Sequence, residues 1–138
     1  MPFTKFHSVT IDGGRFKLPK PILEVYKESF GDQGNIWQIC KGKGSAIAIV
    51  PPSEFDGVVE RMVKQRPEKE NAIRRAILYS NTQTEMDGVG RMKISQPLLE
   101  IAAISKEAML VGLDNYLELM SFENWKKYLT KSIEEDED

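Results

Sequence analysis

Apolar and polar residues alternate with a period of two at two places in the chain, Phe16-Lys17-Leu18 and Met92-Lys93-Ile94. That period predicts half-buried strands, with Arg15 and Lys17, and again Arg91 and Lys93, on one face and the apolar residues on the other. Proline ends each run (Pro19 and Pro21; Pro97), and short amphipathic helices are expected over 22–28 and 97–103. Two further strand pairs follow. IWQIC and SAIAIV flank the turn-like KGKG at 41–44, and AMLVG and YLELM flank Leu113, Asp114 and Asn115. A serine in capping position then opens a closing helix in each part, Ser53 before EFDGVVERMVKQ and Ser121 before FENWKKYLTKSI. Phe55 and Trp125 hold similar places in these helices, and the helical spacing of Phe122, Trp125, Leu129 and Ile133 marks them as expected core. In between, Pro67, Glu68 and Glu70 suit a helix start, with Ile73, Ala76 and Ile77 as its apolar face.

The two alternating segments are copies of one sentence. Residues 12–24 read DGGRFKLPKPILE and residues 88–100 read GVGRMKISQPLLE, so that Gly14, Arg15, Lys17, Pro21, Leu23 and Glu24 recur 76 positions later as Gly90, Arg91, Lys93, Pro97, Leu99 and Glu100. The chain therefore divides into a first half at 1–66, a connecting helix and linker at 67–84, a second half at 85–133 and an acidic tail at 134–138, expected to be disordered. The class is α+β, and two halves with interleaved strands would make a small barrel. With 138 residues, such half-domains share one core, since single cores commonly form at roughly 100–150 residues.

Composition narrows the chemistry. No apolar run approaches the ~20 residues of a membrane span, and the start MPFTKFHSVTIDGG lacks the apolar region of a secretory signal, so a cytoplasmic protein without a membrane partner is expected. One cysteine, Cys40, and one histidine, His7, make neither a disulfide framework nor a four-ligand zinc site. Cys40 sits in an apolar run and reads as a small buried hydrophobe. The formal charge of −2 argues against a nucleic-acid partner less than it first suggests: without residues 134–138, 19 basic side chains face 16 acidic ones. An electrostatic footprint needs only one basic surface.

Candidate chemistry centres on the repeated loops. Two aspartates in Gly-containing loops invite comparison with an aspartic-protease dyad, but Asp12 and Asp87 are followed by Gly and then Arg, and a neighbouring guanidinium holds a carboxylate ionised, the wrong state for a shared proton. Neither copy matches a P-loop or a full G-x-G-x-x-G, and Asp87 lacks the alternating oxygen ligands of a calcium loop. No metal, cofactor, small-molecule substrate or enzymatic activity is expected. A tight turn explains the Asp and Gly residues (Asp12, Gly13, Gly14; Asp87, Gly88, Gly90) through side-chain capping and positive φ, but it does not explain Arg and Lys on one face of both copies. Arg15, Lys17, Arg91 and Lys93 are either a surface for DNA phosphates and guanine edges or a solvated charged face.

MDGVGR at 86–91 and KEAMLVGLDNYLELMSFENW at 106–125 closely resemble the MraZ family of bacterial transcriptional regulators, which carry a D-x-x-G-R motif in each half. The resemblance spans roughly residues 1–130. It implies a duplicated AbrB-like swapped-hairpin β-barrel with short helices and two pseudo-symmetric halves. It also implies a cytoplasmic, nucleoid-associated ring homo-oligomer, with an octamer as one candidate size, binding double-stranded DNA at repeated G-rich promoter boxes of the division and cell-wall gene cluster. Asp87, Gly90 and Arg91 fill the motif in the second copy; the first, Asp12-Gly13-Gly14-Arg15, is one residue short. Arg15 and Arg91 are then the base contacts, with Lys17 and Lys93 supporting on phosphates. The alternative is a structural or protein-interaction module that keeps the ring without DNA affinity.

Overall fold

The structure, a computed structural model, describes residues 2–137, with side chains described as far as Lys131. It is α+β. The first half comprises β1 (Phe6–Thr10), β2 (Arg15–Lys17), α1 (Lys20–Phe30), β3 (Ile36–Lys41), β4 (Ile47–Val50) and α2 (Phe55–Gln65). After α3 (Glu70–Ser80), the same order returns as β5 (Thr82–Glu85), β6 (Arg91–Lys93), α4 (Gln96–Ile101), β7 (Glu107–Gly112), β8 (Leu117–Met120) and α5 (Phe122–Glu137). The expected helices are present, α1 and α4 each opening with Pro in the first turn, where the missing N–H costs nothing.

Two strands absent from the sequence reading, β1 and β5, govern the topology. Among the described residues, one sheet runs β1-β7-β8-β4-β3-β5 and a second is the pair β2-β6, all antiparallel. Exchanging the halves reverses the first order onto itself. Each half lends its first strand to the other: β1 lies on β7 and β5 on β3. The expected barrel does not close, because β1 and β5 remain edges and the β2-β6 ribbon is a separate sheet. β5 reads Thr-Gln-Thr-Glu, largely exposed, so no apolar alternation announces it.

The central strands β4 and β8 are buried along their whole length, which explains their near-continuous apolar runs. On one face, Ile47, Ile49, Leu110, Leu117 and Leu119 join Phe16 and Met92 of the ribbon and Ile22, Leu98 and Leu99 of α1 and α4 in the main core. Tyr26 stacks on Trp37 at 4.4 Å and its hydroxyl donates to the Ile36 carbonyl at 2.8 Å. On the opposite face, α2 and α3 cover Cys40, Ala48 and Val50, and α5 covers Met109 and Met120 through Trp125 and Tyr128. Cys40 is buried as expected, which pushes its thiol up to about 12.

Two helix expectations need correction. Ser121 caps α5, its hydroxyl accepting the Asn124 N–H at 3.1 Å. Ser53 does not cap α2. It lies in a 3-10 turn, Pro52–Glu54, and its hydroxyl accepts from Gln33 at 2.9 Å. Phe122 and Leu129 are half exposed rather than core, whereas Trp125 packs on Phe6 at 5.0 Å. Phe122 and Leu129 lie on the side of Trp125 away from Tyr128, the other sheet-packed residue, so both fall at the edge of the sheet-facing stripe. The side chain of Ile133 and those of the acidic stretch 134–138 lie outside the described residues.

This topology leaves the first half only the β3-β4 pairing when it stands alone, and a two-stranded hairpin is marginal in water. A fragment of residues 1–66 is expected to show no cooperative thermal unfolding by circular dichroism at micromolar concentration. Adding residues 67–138 restores the transition. A cooperative transition in the isolated fragment, with the fragment monomeric, would contradict the strand exchange.

Candidate nucleic-acid interface

The repeated segments meet as the two-stranded ribbon. Arg15 lies opposite Lys93, Phe16 opposite Met92, and Lys17 opposite Arg91. Phe16 and Met92 point into the core and are 2% exposed, so the alternation sends all four cations outward on one face. Directly opposed side chains in an antiparallel pair have Cβ atoms about 4.5–5.5 Å apart, and like charges there are destabilising. The sequence placed these four residues on two separate strands; the fold joins them into one patch.

Each motif glycine ties the ribbon together. Gly90 accepts the Leu18 N–H at 2.9 Å through its carbonyl, and Gly14 accepts the Ile94 N–H at 2.8 Å. Both need glycine's backbone freedom: φ is +79° at Gly14, where a Cβ would lie 3.1 Å from the Ile94 carbonyl oxygen, and +91° at Gly90, where it would lie 3.1 Å from Leu23 Cδ2.

The missing residue in the first motif has a conformational answer. Asp12 and Arg15 exchange both backbone hydrogen bonds, 2.8 and 3.0 Å, around Gly13 and Gly14, which both have positive φ. This is a two-residue hairpin loop of the I′ kind, favoured because its twist matches that of the strands. The second loop holds three residues, Gly88, Val89 and Gly90, with the Asp87 N–H donating to Arg91 at 2.9 Å and the Gly90 N–H to Asp87 at 3.1 Å. That is the turn-plus-bulge form, the other common way to close a hairpin. Both arginines thus enter the ribbon at equivalent positions.

The loops differ electrostatically. Asp87 Oδ1 accepts the N–H groups of Val89 and Arg91, each at 3.0 Å, and Oδ2 accepts from Arg91 Nε at 2.7 Å. The Arg91 backbone N–H, then its guanidinium, then the Val89 N–H hold the Asp87 carboxyl down at about 2. With Nε engaged, the two terminal nitrogens of Arg91 remain to donate outward. Among the described residues, Arg15, Lys17 and Lys93 form no ion pair, and the Asp12 side chain caps nothing. Glu85 is a neighbour the sequence did not flag. With Arg15, Asp87, Arg91, Met92 and Lys93 it lines a shallow hollow of about 350 Å³ beside the ribbon. It lies two residues before Asp87 on β5, a strand whose lack of apolar alternation hid it from the sequence reading. Among the described residues no cluster of His, Cys, Asp or Glu could hold a metal ion, and no helix is long and apolar enough to cross a membrane.

Comparison with known proteins matches the family model described as "MraZ protein, putative antitoxin-like" to residues 77–138, which contain the second motif. Longer similarities span both halves. The chain is 30% identical over 113 residues to the transcriptional regulator MraZ of Acidovorax sp. (strain JS42), covering 81% of this chain and 77% of that one. It is 28% identical over 139 residues to the transcriptional regulator MraZ of Marinobacter nauticus, covering 98% and 91%. To the protein of that name from Saccharopolyspora erythraea it is 28% identical over 132 residues, covering 94% and 87%.

The Asp87 arrangement makes a pH prediction. Because the folded carboxyl titrates lower than the free one, its stabilising contribution is complete above the ordinary value of 3.8 and is lost as pH falls through about 2. A carbon-detected NMR titration is expected to give a midpoint near 2 for Asp87. In Arg91→Ala the midpoint rises but stays below 3.8, since the backbone donors persist. A wild-type midpoint at the ordinary value would contradict the contact.

Proposed function

The chain belongs to the MraZ family, and from that premise we propose that it is a DNA-binding transcriptional regulator that contacts DNA through the β2-β6 ribbon. The observation that carries this reading is the facing of Arg15 with Lys93 and of Lys17 with Arg91 on an exposed ribbon. Like charges opposed in this way cost stability, and polyanion binding is the function that offsets the cost. The major groove admits a two-stranded ribbon, in which arginine reads guanine O6 and N7 as a bidentate donor. The terminal nitrogens of Arg91 and the unpaired guanidinium of Arg15 are free for that contact; Lys17 and Lys93 then serve phosphates.

In its finer form the proposal is a ring-shaped homo-oligomer on repeated G-rich boxes of the division and cell-wall gene cluster, acting at the nucleoid. Several ribbons on successive boxes add weak contacts through effective concentration, which lets a protomer of net charge −2 bind specifically. The symmetric strand exchange supports kinship with AbrB-like swapped-hairpin barrels.

Fluorescence anisotropy with duplex DNA from upstream of the protein's own gene tests the reading. Wild type is expected to bind with an affinity that falls steeply as salt rises. Arg91→Ala and Arg15→Ala are each expected to weaken binding about 5- to 150-fold, corresponding to roughly 1–3 kcal/mol per bidentate pair, and to relax the preference for guanine. Affinity and base preference unchanged in both variants would refute the ribbon as the reader. Absence of salt-sensitive binding by wild type would favour the protein-interaction module instead.

A further inference from the structure

α3 breaks the internal symmetry: among the described residues α2 has its counterpart in α5, but no helix corresponds to α3. Where it lies over the first half it walls a groove of about 610 Å³, between the 41–44 turn, the α2-α3 hairpin and α5. The groove is amphipathic. Met62, Ile73 and Ile77 contribute apolar floor, while Lys41, Lys43, Arg66, Lys69 and Lys131 contribute cations, and among the described residues no carboxylate lines it. None of its lining residues belongs to the ribbon or its hollow.

Its walls are pinned. The Lys41 N–H donates to Ser80 Oγ at 2.8 Å, fastening the end of α3 to the end of β3. Arg74 bridges α3 to α2 through Glu60 at 2.9 Å and is braced within α3 by Glu70, also at 2.9 Å. Tyr128 of α5 accepts the Ser45 N–H at 3.2 Å, which sets Lys131 one turn further along over the groove. Lys41 is turned onto the carbonyls of Gly42 and Gly44, and Arg66 is loosely paired with Glu68 at 3.8 Å. Lys43, Lys69 and Lys131 form no ion pair among the described residues.

We propose that this groove binds a small polyphosphorylated molecule, its di- or triphosphate held by the cationic rim and its aromatic or aliphatic body laid on the apolar floor. The volume lies within the roughly 300–1,000 Å³ of ligand sites, which pair an apolar lining with a few convergent polar groups. Cations drawn from three separate segments exceed what one carboxylate would engage; they match a head bearing several charges.

Isothermal titration of the full chain with ATP, an alkyl diphosphate and inorganic tripolyphosphate tests this, since the first two carry an aromatic and an aliphatic body and the third none. At least one of the first two is expected to bind tenfold or more tighter than tripolyphosphate. The double variant Lys69→Glu/Lys131→Glu, both exposed positions, and separately Lys43→Glu, are expected to weaken that binding at least tenfold while retaining the wild-type circular dichroism spectrum. Arg15→Ala/Arg91→Ala leaves it unchanged. No saturable binding by any probe, no advantage of body-bearing probes over tripolyphosphate, persistence in the groove variants, or loss in the ribbon variant would each overturn the proposal.

Discussion

Neither half of this chain can satisfy the hydrogen bonds of its own first strands. β1 finds its partner in β7, β5 in β3, and β2 in β6. Unpaired backbone at these places would cost the folded state heavily, so the halves fold only as one body. The same requirement builds the surface that matters. Because the two motif strands have no other partners, they must lie against each other, and their four cations must gather on one face. The reciprocal bonds from Leu18 to Gly90 and from Ile94 to Gly14 then lock each loop to the strand end of the other copy.

Within that frame the loops have diverged without breaking the symmetry of the ribbon. A two-residue turn and a three-residue turn with a bulge both deliver an arginine to the first position of a strand. What differs is the restraint on that arginine. Arg91 is held at Nε by Asp87, so its terminal nitrogens are presented in a fixed direction. Arg15 carries no such clamp. The two arginines are therefore equal in position and unequal in preorganisation, Arg91 having less side-chain entropy left to lose.

How much of this was legible in the sequence depends on whether the signal was local. The ribbon strands, α1, α4 and the β3-β4 and β7-β8 hairpins each carry their own period, and all appear in the structure. β1 and β5 escaped because they are edge strands whose partners lie far along the chain. β5 has no apolar alternation at all, and its pairing with β3 is decided by backbone hydrogen bonding. The position of Ser53 before a helix suggested a cap, but Pro51 and Pro52 start a 3-10 turn that takes up the serine before α2 begins. At the candidate interface the residue types and their shared face were readable. Their facing across a ribbon was not, since it depends on pairing between halves, and Glu85 was missed with β5, the strand that carries it. The cationic groove depends likewise on where α3 lands.

We propose that the ribbon keeps opposed positive charges at some expense of stability because they serve a polyanion. Replacing Lys17 and Lys93 together with threonine, a residue that suits exposed strands, separates the two sides of that claim. We predict that urea unfolding of Lys17→Thr/Lys93→Thr gives a stability equal to or higher than wild type, while its affinity for duplex DNA falls at least tenfold at equal salt. A less stable variant that binds DNA as well as wild type would contradict it.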